Sequence, residues 1–307
     1  MRILIVLAMA LMLSACDAFD MLGHPTGPTR VDVSTLTSWY PCVIVQPAGN
    51  RGSPEFENQF TAVRKLQRAG KMNWIRLGNN KNTDYQIESR RLGLKIFSIV
   101  DIDELEESSS WEDAFDNLHA LYQGDIWEIG GEISNPFINR HLLTPEQYMS
   151  KFKNLYNHVR SRYPGVVLTS AATFGSSSTF KNNFGPAELQ RFIELGLLDM
   201  DVIIAVNVYT EDALQQYASV FSRYSSRLAG KRIWVTETGS SDPNRHIEWV
   251  NRFYPEIIAT LHPEMVCWYV MWAGDNDPDN SSGLLNNVST PNPEERNLFK
   301  ALTEGLQ

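Results

Sequence analysis

The sequence predicts an α/β protein, a single-domain (β/α)8 barrel of the TIM type over residues 40–307. Three observations lead to this fold class. Short apolar runs alternate with longer amphipathic stretches along the whole segment. Its roughly 270 residues fall in the usual range for an eight-stranded α/β barrel. Polar side chains collect where several apolar runs end, which is the edge that carries the chemistry in such barrels.

The apolar runs, taken in chain order, give eight strands. They are short, and several give way to Gly, Asn, Asp or Pro, as expected of buried parallel strands. The predicted strands are 42–45, 73–77, 94–100, 125–129, 165–170, 201–206, 232–236 and 265–271.

The amphipathic stretches between the strands predict helices. In the stretch 57–69, for example, Phe60, Val63 and Leu66 lie on one face at helical spacing. A doubly wound open sheet is the alternative, but no Gly-rich phosphate-binding loop follows an early strand. The predicted helices are 57–69, 85–92, 111–121, 145–163, 186–195, 212–228, 245–261 and 294–302.

The first residues have the composition of an export signal. A basic start is followed by an apolar run too short to span a membrane, and then by small residues. The segment Leu13-Ser14-Ala15-Cys16 resembles the lipobox of bacterial lipoproteins, which implies a signal peptide over 1–15 and lipidation of Cys16. Residues 16–39 then read as a tether between the lipid and the domain. These features predict a lipid-anchored protein of the bacterial cell envelope, on the inner or the outer membrane; a buried N-terminal helix is the alternative.

Charge and cysteine content exclude some classes of function. The formal net charge of −9 disfavours a nucleic-acid surface and leaves neutral or cationic glycans open. No Cys/His spacing predicts a metal site, and no cofactor motif is present. Cys42 and Cys267 lie in the first and last predicted strands, where a disulfide is possible; two buried free thiols are the favoured expectation, because a bridge across adjacent strands is geometrically awkward.

Two glutamates stand where predicted strands give way to loops. Glu132 follows the fourth strand in Trp-Glu-Ile-Gly-Gly-Glu132, and Glu237 ends the seventh in Trp-Val-Thr-Glu237-Thr-Gly. In a barrel both side chains would face the same end, and two opposed carboxyl groups are the machinery of glycosidic bond cleavage.

On these residues the sequence resembles the clan A glycoside hydrolases, the superfamily of many cellulases, β-mannanases and β-galactanases. The resemblance covers nearly the whole predicted domain. It rests on Gly-Gly-Glu132 and Thr-Glu237-Thr-Gly about 105 residues apart, on Val-Asn-Val-Tyr209, and on Trp272. It implies a retaining β-glycosidase acting on a β-linked polysaccharide or oligosaccharide.

The resemblance also implies roles for individual residues. Glu132 would be the acid/base and Glu237 the nucleophile. Arg76 would hold Glu237 ionised and Tyr209 would donate to the same carboxylate. Trp272 would stack beneath the sugar.

Two further residues, Asp101 after the third strand and Asn207 after the sixth, are candidate substrate contacts. Each assignment has a structural alternative. Asp101 could instead cap a loop, and Arg76 could be the counter-ion of Glu128, which lies inside the fourth strand.

One position departs from the family pattern. The family places Asn directly before the acid/base Glu, and here that residue is Gly131. The departure keeps an alternative function open, a glycan-binding or scaffold lipoprotein on a degenerate, non-hydrolytic barrel. Transglycosylation, with a sugar acceptor in place of water, would use the same residues as hydrolysis.

Overall fold

The structure is a computed structural model. It describes residues 39–78, 82–122, 124–136, 139–175, 185–272, 282–291 and 293–304. All of these residues belong to one compact unit, Val33–Gln307. The signal peptide, Cys16 and all but the last residue of the tether lie outside the described residues, as do most of the loops after the predicted fifth and eighth strands. Among the described residues, no helix has the length and apolar character needed to cross a membrane.

Nine parallel strands form the main sheet, in the order β5-β4-β3-β2-β1-β9-β8-β7-β6. Several are buried along their whole length, as expected of parallel strands covered on both faces. The strands are β1 Cys42–Val45, β2 Trp74–Leu77, β3 Lys95–Val100, β4 Ile126–Ile129, β5 Val167–Thr169, β6 Thr173–Gly175, β7 Ile204–Val208, β8 Ile233–Thr238 and β9 Met265–Trp268. A short antiparallel pair, β10 Leu285–Asn286 and β11 Glu294–Glu295, stands apart.

The sheet curls into an α/β barrel-like fold, with nine strands where the sequence predicts eight. The extra strand arises in the fifth unit, where β5 pairs with β4 and β6 pairs with β7. A parallel bridge between Thr169 and Ile203 links the two edge regions of the sheet. Between β5 and β6 the Ala171 N–H donates to the Tyr148 hydroxyl at 2.7 Å.

Helices connect the strands, and several of them begin with a side-chain cap. The helix Pro54–Arg68 starts at Ser53, whose Oγ accepts from the Phe56 N–H, and the helix Pro145–Arg162 starts with a capping box of Thr144 and Gln147. The remaining helices are Thr83–Arg91, Ile102–Glu106, Trp111–Tyr122, Pro186–Glu194, Glu211–Arg223, Ser225–Leu228, His246–Glu248, Tyr254–Leu261 and Asn297–Glu304, with a π-helical turn at Trp249–Phe253.

The core has two layers. A large apolar cluster lies between the strands and the helices, and a smaller one fills the barrel interior, including Ile44, Phe97 and Trp234. Because side chains alternate along a strand, Glu128 shares the inward face of β4 with Ile126, a member of that inner cluster. The interior is therefore apolar at one end and charged toward the carboxyl ends of the strands.

Cys42 and Cys267 form a disulfide, so the expectation of two free thiols is wrong. The two residues are direct partners in the register of β1 and β9, and their Cα atoms are 4.6 Å apart. That separation lies within the range that a disulfide spans. The bond joins the first and the last strand of the main sheet.

Trp39, the last residue of the predicted tether, packs into the compact unit. Its indole N–H donates to the Lys71 carbonyl at 2.8 Å, and its ring stacks on Tyr254.

Candidate active site

The carboxyl ends of four strands meet around the two candidate glutamates. Glu237 is the penultimate residue of β8, and its register partner on β7 is Asn207. Tyr209 directly follows β7, Arg76 lies in β2, and Glu132 comes three residues after β4. The parallel register of the sheet brings residues that are distant in sequence to one end of the barrel.

Glu237 is held by two donors. Arg76 Nη1 donates to its Oε1 at 2.7 Å, and the Tyr209 hydroxyl donates to its Oε2 at 2.6 Å. The side chain keeps 16% of its surface exposed. The structure thus brings together the three residues that the sequence grouped, and it leaves the carboxylate within reach of solvent.

Arg76 has a second acidic partner, Glu128. Its Nε and Nη2 donate to Glu128 Oε2 at 3.1 and 2.9 Å, while the guanidinium also lies 5.5 Å from the centre of the Phe97 ring. Arg76 therefore contacts Glu237 and Glu128 at once, the two carboxylates that its alternative roles involve.

Glu132 is held by two amides. Asn207 Nδ2 donates to its Oε1 at 2.7 Å, and Asn135 Nδ2 donates to its Oε2 at 2.6 Å. Asn207 is itself oriented by Thr236, whose Oγ1 donates to the amide oxygen of Asn207 at 2.8 Å. Asn207, expected as a substrate contact, therefore lies against the acid/base candidate.

Three polar residues of this site were not found by sequence reasoning: Asn135, Asn139 and Thr236. Asn139 Nδ2 donates to the Glu132 backbone carbonyl at 2.8 Å and so fixes the turn. The available signal was their spacing, since two Asn residues follow Glu132 at three and seven positions and Thr236 precedes Glu237.

The surroundings of Glu132 favour its protonated form. Burial and the nearby charge of Glu237 raise its pKa from 4.5 to about 8, against the opposing hydrogen bonds from Asn135 and Asn207. Burial also raises the pKa of Tyr209 well above its ordinary value, so its phenol remains a donor to Glu237. At neutral pH the site therefore offers a carboxylic acid beside a carboxyl group that is paired with arginine.

The glycines before Glu132 shape its turn. Gly130 has φ +77°, and a Cβ there would lie 2.5 Å from Ile102 Cδ1. At Gly131, the position where the resembling family carries Asn, a Cβ would lie 3.2 Å from Ile99 Cδ1, so a larger residue requires Ile99 to shift.

Aromatic rings lie beside the nucleophile candidate. Tyr269 directly follows β9, is half-buried, and packs edge-on against Tyr209 with ring centres 6.3 Å apart. Phe174, the middle residue of β6, also packs against Tyr209, with ring centres 6.1 Å apart. Trp272, the expected stacking residue, is 8% exposed and belongs to the outer apolar cluster.

Asp101 lies at the start of a helix. It forms a capping box with Glu104, whose carboxylate accepts from the Asp101 N–H at 3.3 Å. The structure thus gives it the capping position that the sequence left open beside a substrate contact. Among the residues that the structure describes, no group of three or more His, Cys, Asp or Glu side chains is arranged to hold a metal ion.

Comparison with known proteins adds the fold relationship. No family model and no curated protein matches the sequence. Solved structures do match in three dimensions. An endo-β-1,3-glucanase of family GH128 (subgroup II) from Sorangium cellulosum aligns with a TM-score of 0.59 and 15% identity, over 87% of this chain and 99% of that one.

Two further structures are similar to this chain. An exo-β-1,3-glucanase of GH128 subgroup III from Blastomyces gilchristii, in complex with glucose, aligns with a TM-score of 0.57 and 14% identity over 87% of this chain and 98% of its own. A GH30 endoxylanase from Clostridium papyrosolvens aligns with a TM-score of 0.56 and 12% identity over 86% and 70%. At these identities the likeness shows the fold, and the chain has the barrel-like fold of glycoside hydrolases.

Proposed function

We propose that this protein is a retaining β-glycosidase, with Glu132 as acid/base and Glu237 as nucleophile. One observation carries the proposal. At the carboxyl ends of the strands, a buried carboxyl group whose pKa is raised to about 8 lies in the field of a second one that is paired with arginine and tyrosine. Two carboxyl groups with opposed environments are the requirement for double displacement at an anomeric carbon.

In the first step Glu237 attacks the anomeric carbon while Glu132 gives its proton to the leaving oxygen. The bond to the departing sugar breaks and a glycosyl ester forms on Glu237. Arg76 and Tyr209 orient the attacking carboxylate of Glu237 through hydrogen bonds to its two oxygens. As the ester forms, one of these hydrogen bonds is made to the ester carbonyl oxygen and the other to the oxygen that loses its charge on bonding to the sugar.

In the second step Glu132, now a carboxylate, takes a proton from water, and the water oxygen attacks the same carbon. The ester bond breaks, Glu237 recovers its charge, and the sugar leaves with its original anomeric configuration. The amides of Asn135 and Asn207 stabilise the carboxylate of Glu132 in this half of the cycle. A sugar hydroxyl in place of water would make the reaction a transglycosylation.

The substrate that we propose first is a β-1,3-linked glucan. The support is the structural likeness to GH128 β-1,3-glucanases over nearly their full length. The half-buried rings of Tyr269, Tyr209 and Phe174 offer apolar faces of the kind that pack against pyranose rings.

We further propose that the enzyme works in the cell envelope, anchored through lipid on Cys16. The lipobox-like segment carries this part, and the Cys42–Cys267 disulfide supports it because disulfides persist in oxidising compartments. The barrel behind the site is inferred to be an eight-unit one, in which β5 and β6 together take the place of the fifth strand.

The test is release of new reducing ends by the full-length chain from β-glucans, mannans, galactans and bacterial exopolysaccharides. Glu237→Gln and Glu132→Gln are the matched variants, and NMR of the first product gives its anomeric configuration. Turnover by the wild type with retention, lost in Glu237→Gln, supports the proposal. Saturable glycan binding without new reducing ends, or equal turnover by wild type and Glu237→Gln, overturns it. Size analysis of the products separates hydrolysis from transglycosylation.

A further inference from the structure

The barrel interior holds a carboxyl group that the proposed reaction does not use. Glu128 lies in β4, four residues before Glu132, and is fully buried. Burying a carboxylate is unfavourable unless it is paired and hydrogen-bonded. Its only cationic neighbour in the part of the chain that the structure describes is Arg76, so its presence needs an explanation that involves that arginine.

Arg76 divides its donors between two carboxylates. The side made by Nε and Nη2 faces Glu128 Oε2, at 3.1 and 2.9 Å. The remaining nitrogen, Nη1, points to Glu237 Oε1 at 2.7 Å. A guanidinium is planar and rigid, so fixing one edge of it on Glu128 fixes the direction in which the third nitrogen points.

We infer, on the basis of the proposed glycosidase function, that Glu128 is a positioning residue for the nucleophile. It holds the Arg76 guanidinium in the plane that meets Glu237 and takes a share of its positive charge.

The charged and titratable groups around Glu128 come from three elements. Arg76 approaches from β2 and Glu237 from β8, and Tyr148 approaches from the helix Pro145–Arg162. Burial raises the pKa of Tyr148 well above its ordinary value, so it remains neutral. Burial likewise raises the pKa of Glu128 to about 7, and the charge of Glu237 adds to that rise. Removing the charge of Glu237 should therefore change the pKa of Glu128 measurably.

The first experiment is a pH profile of kcat and KM for wild type, Glu128→Gln and Glu128→Asp. Gln keeps the shape and removes the charge, so the change in wild-type kcat that follows ionisation of Glu128 near pH 7 should be absent from the Glu128→Gln profile. Asp keeps the charge but shortens the reach, so kcat should fall on the order of ten- to hundred-fold while its pH dependence near pH 7 is retained. KM should stay within about twofold of wild type in both, because Glu128 is not placed to touch the substrate.

The control is Glu88→Gln, which removes a carboxylate paired with Arg64 and Arg91 on the outer helices. Glu88→Gln should leave kcat and its pH profile unchanged. A Glu128→Gln profile with the same pH dependence near pH 7 as wild type, or wild-type kcat in Glu128→Asp, overturns the inference. If thermal unfolding shows that Glu128→Gln does not fold, the kcat of Glu128→Asp decides alone.

A readout without turnover separates this inference from the proposed function. Carbon-13 NMR of the carboxyl groups should show Glu128 titrating at lower pH in Glu237→Gln than in wild type, because the charge that raised its pKa is gone. If the Glu128 resonance does not move, the inference that Glu128 and Glu237 are coupled through Arg76 is overturned, whatever the activity. If the resonance moves but the protein cleaves no glycan, the proposed function is overturned and the coupling of Glu128 and Glu237 through Arg76 is supported.

Discussion

At the scale of single residues, Glu132 is held between opposing influences. Two amides favour its carboxylate, and burial with the charge of Glu237 favours its acid. The balance lies toward the acid, which the first half of the proposed reaction needs, while the amides support the base of the second half. An acid/base residue has to serve in both forms, and this environment stabilises each in part.

The raised pKa of Glu132 predicts the alkaline limit of activity. Glu132 must carry its proton for the first step, so kcat/KM should fall tenfold per pH unit above about pH 8. The measurement is a pH–rate profile on an oligosaccharide substrate. A substrate with a leaving group that needs no protonation should lose much of this dependence, and an alkaline limb below pH 6 would contradict the assignment of Glu132.

The same pKa predicts a stability cost. Because the folded pKa of about 8 lies above the ordinary value of 4.5, the folded state binds the proton more tightly, and stability falls as pH rises through that window. Glu132→Gln should therefore be more stable than wild type at pH 8, by roughly 2–4 kcal/mol, and nearly equal to it at pH 4. Urea unfolding at both pH values checks this, with Glu88→Gln as a control that should gain nothing.

The turn before Glu132 depends on one glycine. Gly130→Ala would place a Cβ at φ +77° and 2.5 Å from Ile102 Cδ1, so we expect a loss of about 1–3 kcal/mol of unfolding free energy. Gly165→Ala is the matched control, since a Cβ there meets nothing within 4 Å. Equal stabilities of the two variants in denaturant unfolding would contradict this account.

At the scale of elements, Tyr148 connects a helix to two strand regions. Its hydroxyl donates to the Ile129 carbonyl at the end of β4 at 2.8 Å and accepts from the Ala171 N–H between β5 and β6. Tyr148→Phe leaves both buried backbone groups without this partner, which should cost about 1–3 kcal/mol. The control is Tyr156→Phe, whose hydroxyl accepts one exposed bond from the Asp201 N–H. Thermal unfolding of both variants is the measurement, and a Tyr148→Phe that unfolds with Tyr156→Phe contradicts it.

Elements were predictable to the extent that their signal is local. The alternation of apolar and amphipathic segments placed every strand of the main sheet except the division of the fifth unit. At that division the Ala171 N–H bonds a hydroxyl 23 positions away along the chain, a contact that no local pattern contains. The sequence left a Cys42–Cys267 disulfide as the alternative to two free thiols for a related reason, because the choice depends on the register between β1 and β9.

The site shows the same limit. Glu132, Glu237, Arg76 and Tyr209 could be grouped because each stands in or just after a recognisable strand. The partners that hold Glu132, above all Asn135, lie in an irregular turn whose geometry the sequence does not predict. Trp272, which the family resemblance gives as the stacking residue, lies four positions beyond the end of β9 at Trp268, whereas Tyr269 directly follows that strand.

At the scale of the whole molecule, the disulfide should contribute strongly to stability. It closes a loop over a sequence separation of 225 residues, and a long loop restricts the unfolded chain more than a short one. We expect reduction to lower the unfolding free energy by about 2–4 kcal/mol. Denaturant unfolding with and without reductant measures this. The double variant Cys42→Ala/Cys267→Ala should have the same unfolding free energy in both conditions. A wild type that is insensitive to reductant after complete thiol release would contradict the prediction.

The same bond sets an order of events for the newly made chain. Cys42 emerges early, but its partner at position 267 arrives only after nearly the whole domain has been synthesised. Until then β1 has no covalent link, and an oxidising catalyst that meets the chain midway finds a single thiol in this domain. Synthesis must therefore reach β9 before the disulfide can close, and any truncation that removes β9 leaves Cys42 without its partner.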